Sequence, residues 1–61
     1  GGDHYRQFKI SPLDFFYENK IPAVEASIIK YIVRHRAKNG AEDLYKAKHL
    51  IEYLLEKDYE L

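Results

Sequence analysis

The sequence predicts an all-α fold, a short N-terminal helix and arm packed on an antiparallel two-helix hairpin, and three observations predict it. Apolar residues recur at helical spacing along two stretches, residues 22–38 and 41–57. One tight turn at Asn39-Gly40 separates the stretches and is too short to do anything but fold one helix back along the other. Ser11-Pro12 opens a third, shorter helical segment upstream. The 61 residues therefore read as one small helical domain: an arm over 1–11, a short helix over 12–18, a central helix over 22–38 and a C-terminal helix over 41–57.

Size constrains this fold. A chain of this length buries only about 60% of the surface its unfolded form exposes, so a lone core stabilises it by little. There is no cysteine for a disulfide, and the three histidines are not spaced with carboxylates as metal ligands, so no metal site and no cofactor is identified. Oligomerisation is the expected source of extra stability. Six tyrosines and three phenylalanines are more amphipathic ring surface than one small core needs, which fits a homo-oligomer interface. Ten basic and ten acidic side chains balance, so the molecule as a whole is not an electrostatic binder of nucleic acid. No apolar run approaches the roughly 18 residues that span a bilayer, and no secretory signal opens the chain, which leaves a cytoplasmic protein with no membrane partner.

Along the chain, residues 3–9 (DHYRQFK) have neither a helical nor an alternating period and read as an irregular arm. At Ser11-Pro12-Leu13-Asp14 the serine can cap a free amide, the proline suits the first helical position, and the acid meets the positive end of the dipole. Leu13, Phe16 and Tyr17 give this short helix one apolar face. Asn19 is the expected left-handed residue that ends it. Pro22 opens the central helix, where Val24, Ile28, Ile29, Ile32 and Val33 cover about half the circumference, more than one neighbour requires. The other arc carries Ser27, Lys30, Arg34 and Lys38 at spacings of three and four, with Tyr31 at its border.

Gly40 supplies the positive φ that closes the central helix, and Glu42 and Asp43 suit the first turn of the next. Leu44, Ala47, Leu50, Ile51, Leu54 and Leu55 form its apolar stripe. Asp43 falls between Leu50 and Leu54 on the inward face. An inward carboxylate needs a cation, and Arg34, Arg36 and Lys38 come from the helix that packs against it.

The segment KYIVRHRAKNGAEDLYKA resembles the small phage family of SaV-like domains of uncharacterised function, which also forms part of a phage nucleotide kinase. The corresponding residues are His4-Tyr5, Lys30-Tyr31 with Arg34, Lys38 with Gly40, and Asp43-Leu44 with Lys46-Ala47. The resemblance implies a phage accessory protein in the cytoplasm of an infected host cell that touches nucleotides and is related to nucleotide kinases. On that reading Arg34 binds phosphate bidentately, Lys30 and Lys38 act as point charges, Tyr31 or Tyr5 stacks on a base, and His4 donates to phosphate or moves a proton. The competing reading makes Lys30 and Lys38 solvated surface residues and ties Arg34 to Asp43 as a structural ion pair, with Lys46 beside it. The chain is then a non-catalytic oligomerisation module or one that meets a host protein. DNA binding ranks below both, since a central helix so broadly apolar cannot also enter a groove. The chain has no phosphate-loop, nucleophile-elbow or zinc-protease motif, so phosphoryl transfer here would rest on positioning and charge alone.

Overall fold

The computed structural model describes residues 8–61. They are all-helical: α1 (Pro12–Glu18), α2 (Ala23–Arg34), one 3-10 turn (His35–Ala37) and α3 (Ala41–Tyr59). The expected arm lies mostly outside the described residues.

Pro12 occupies the first position of α1, and Phe15 N–H donates to the Ser11 carbonyl at 3.0 Å. Ser11 contributes that carbonyl and makes no side-chain cap. At the other end the left-handed residue is Lys20, with φ of 52°, and not Asn19. Asn19 instead turns its side-chain amide back to the Phe15 carbonyl at 3.0 Å, the same oxygen that accepts its backbone N–H at 3.1 Å.

The α-helical geometry of α2 stops at Arg34, four residues short of the point to which its apolar period runs. The cause lies in the turn. The His35 carbonyl accepts from both Gly40 N–H at 2.7 Å and Lys38 N–H at 3.5 Å, which tightens the chain and doubles it back at once. Gly40 has φ of 59° and ψ of −131°, a combination that residues with a Cβ scarcely adopt. A Cβ built there meets nothing within 4 Å. Gly40→Ala is therefore expected to cost about 1–2 kcal/mol through backbone strain alone, read as a lower urea midpoint at unchanged slope.

The described residues form a slab of 37 × 28 × 15 Å. A helix with its side chains is about 10–12 Å across, so the molecule is little more than one helix thick. A single layer can bury residues only along the lines where helices touch. Ile28, Ala47 and Asp43 are accordingly the buried residues, all at the crossing of α2 and α3. Ile32, Val33, Leu44, Ile51 and Leu55 stay between 37% and 45% exposed. α1 lies beside α2, where Pro12, Phe15 and Phe16 share a 240 Å³ groove with Phe8, Ile10, Ile29 and Val33. No helix is long and apolar enough to cross a membrane, among the described residues.

Candidate functional site

The turn after α2 and the first turn of α3 build a buried ion pair. Asp43 is third in α3 and wholly inaccessible, and Arg34 is last in α2 with 12% of its side chain exposed. Arg34 Nε donates to Asp43 Oδ2 at 3.3 Å and Nη2 to Oδ1 at 3.4 Å, a two-pronged fork. Asn39 completes the shell: its backbone N–H donates to Oδ2 at 3.4 Å and its Nδ2 to Oδ1 at 3.3 Å. Each carboxylate oxygen thus accepts two hydrogen bonds, all longer than the ~2.7–2.9 Å of the tightest charged pairs. Burial pushes the Asp43 carboxyl up, but the bonds from Arg34 and Asn39 and the charge of Arg34 outweigh it and hold the group below its ordinary value. No buried polar side-chain atom is left unpartnered among the described residues.

The 3-10 turn makes this possible, because it brings Asn39 back over the start of α3. The arrangement resembles a capping box shifted by one residue, with the acid at the third helical position reaching back past Gly40 to the Asn39 amide.

One turn further along the hairpin, three cations surround Tyr31. The Arg34 guanidinium lies 4.9 Å from the ring centroid, Lys30 Nζ 5.2 Å and Lys46 Nζ 5.6 Å. Such contacts add about 0.5–1 kcal/mol each where exposed. Going from the Arg34–Asp43 pair to the Tyr31–Lys46 pair steps back three residues on α2 and forward three on α3, the register of an antiparallel hairpin. Lys46 also meets Glu42 at 3.7 Å on the surface. Beside the ring opens a shallow 350 Å³ groove lined by Tyr31, Lys46, His49 and Leu50. On the other side of Lys30, a second recess is lined by Leu13, Phe16, Ala26 and Ser27.

The candidate residues named from sequence therefore divide. Lys30, Tyr31, Arg34, Asp43 and Lys46 come together in one cluster. Lys38 lies exposed in the turn and is not among the three cations on Tyr31, because the row Lys30, Arg34, Lys38 needs α-helical geometry that ends at Arg34. His4 and Tyr5 fall outside the described residues. His49 was missed as a lining residue; its spacing of three from Lys46, on the same flank of α3, is the signal that could have found it.

Residues 1–52 match the model of a protein family of unknown function, DUF3310. The chain belongs to the DUF3310 family. The matched region contains α1, α2, the turn and α3 as far as Glu52, and so includes both the Arg34–Asp43 pair and the cations on Tyr31. The last turns of α3 lie beyond it. No curated protein and no solved structure matches the chain. Among the described residues of this DUF3310 domain, no group of three or more His, Asp or Glu is placed to hold a metal ion.

Proposed function

We propose that this DUF3310 domain binds a nucleotide or nucleotide-derived phosphate ligand at the Tyr31 face. The observation that carries the reading is the pairing of a cation-ringed aromatic with an adjacent groove lined by Lys46, His49 and Leu50. A groove of 350 Å³ falls at the lower end of the range that small-molecule sites occupy, roughly 300–1,000 Å³. Lys30 and Lys46 are flexible stems that can leave the ring for phosphate oxygens, and a base can then stack on the ring face they vacate. Arg34 has two of its nitrogens committed to Asp43, so its part is to fix Tyr31 and contribute field. The resemblance to SaV-like phage domains supports a nucleotide as the anion and an accessory role in an infected cell, in the company of nucleotide kinases.

The test is a thermal-shift panel of nucleoside mono-, di- and triphosphates and cyclic nucleotides, with calorimetry on each hit. A ligand at a hundred times its dissociation constant stabilises by about 2.7 kcal/mol, a large displacement for a domain this small. Lys46→Ala and Tyr31→Leu are each expected to weaken binding about tenfold or more while the helical signal persists. A flat panel from folded protein, or a hit indifferent to both substitutions, would sink the reading.

A second reading, an assembly or host-protein interaction module, draws on the exposed apolar residues of α2 and α3. It does not compete with the first for residues, since Tyr31 and Lys46 lie on a different flank.

A further inference from the structure

α3 carries two seams. At about 100° per residue, Asp43, Ala47, Leu50 and Leu54 share one arc, and their burial shows that it faces α2. Leu44, Lys48, Ile51, Leu55 and Asp58 share the neighbouring arc, roughly 80° wide. The spacing of the second set is four, three, four, three, the alternation of d and a positions in a coiled coil. Its apolar members, Leu44, Ile51 and Leu55, are 43%, 44% and 40% exposed, so no element of the described chain covers them. Lys48 and Asp58 are exposed too, and neither has an ion-pair partner among the described residues.

We propose that this seam is an interface between two copies of the chain, with the α3 helices antiparallel. The charge pattern selects both the partner and the direction. In a parallel pair each seam position faces its own copy, so Lys48 meets Lys48 and Asp58 meets Asp58. In an antiparallel pair a positions face d positions. The register that sets Lys48 against Asp58 of the second copy then sets Ile51 against Leu55, two-fold symmetry repeats both contacts, and Leu44 lies outside the paired stretch 48–58. The apolar pairs sit at the centre and the ion pairs at the rim, where opposite charge fixes register and like charge would forbid the alternatives. The zero net charge sets no long-range barrier to self-association. A second layer also supplies what a slab 15 Å thick lacks. Leu44, Lys48 and Ile51 lie within the family match and Leu55 and Asp58 beyond it, so the seam runs from the matched region into the last turns of α3.

The interface is independent of the nucleotide reading and is tested without nucleotide, by sedimentation equilibrium of the full chain. The wild type is expected to dimerise. Lys48→Glu and Asp58→Lys are each expected to weaken dimerisation about tenfold or more, since each sets like charges together twice. The double variant Lys48→Glu/Asp58→Lys restores the wild-type constant, and an equimolar mixture of the two single variants forms heterodimers. Circular dichroism at the dilute limit separates association from folding. A monomeric wild type, as when another part of the chain covers the seam, overturns the proposal. So do single variants that associate like the wild type, or a double variant as weak as either single one.

Discussion

Asp43→Asn is expected to lower the melting temperature by roughly 10 °C or more, the largest effect of any polar substitution in this domain. Asparagine keeps the shape but replaces one acceptor oxygen with a donor nitrogen. At either position that nitrogen meets one Arg34 nitrogen and one Asn39 nitrogen, and both are donors. Arg34, with only 12% of its side chain exposed, then carries a charge without its counterion. Glu42→Gln is the control: its contact with Lys46 is 3.7 Å long and 68% exposed on the acid side, so its removal moves the melting temperature by about 1–2 °C at most. Equal melting temperatures for Asp43→Asn and the wild type would show that the pair does not hold the hairpin together, and would release Arg34 as a ligand.

The same carboxylate sets an acid limb. Folding lowers its pKa, so between the ordinary carboxylate value and the lowered one the unfolded chain binds a proton that the folded chain does not. Its contribution to stability is full above the ordinary value and is lost as the pH falls through the lowered one. Asp43→Asn should therefore lack this share of the acid dependence, and the two stability curves should converge at low pH. Parallel curves would contradict the assignment.

Asp43 also shows how the sequence could be read. Its angular place between Leu50 and Leu54 marks it as inward from the sequence alone, and the nearby cations on the facing helix narrow its partner to three. The structural reading of the sequence already tied Arg34 to Asp43, but why Arg36 and Lys38 fall away depends on where α2 ends, and that was not legible. The apolar period continues through residue 38, whereas the geometry is decided by which amides the His35 carbonyl accepts. The cation row failed at Lys38 for the same reason. The cluster on Tyr31 was only half visible, because it unites α2 with Lys46 of α3, and a contact between helices depends on register that neither helix states alone. The second seam of α3 was hidden inside a stripe broad enough to look like one face, and exposure was needed to divide it.

Ile28→Ala is the second large effect, and it follows from the thinness of the slab. Ile28 is 9% exposed and Ala47 3%, and they are the apolar residues buried where α2 crosses α3. Truncating a buried isoleucine costs about 2–5 kcal/mol, and a site so thinly covered, with Ile28 itself 9% exposed, has little packed around it to lose and belongs at the lower half of that range. Domains are stable by roughly 0.05–0.15 kcal/mol per residue, so the loss is a large part of what a chain this size has. Ile32→Ala, on the same helix but 45% exposed, should cost under about 1 kcal/mol in the monomer. Urea unfolding at low protein concentration compares the two. Equal losses would mean that the core is not centred on the Ile28–Ala47 crossing. If association adds stability through the outer seam of α3, raising the protein concentration should raise the melting temperature of Ile28→Ala, whereas a monomer shows no such dependence.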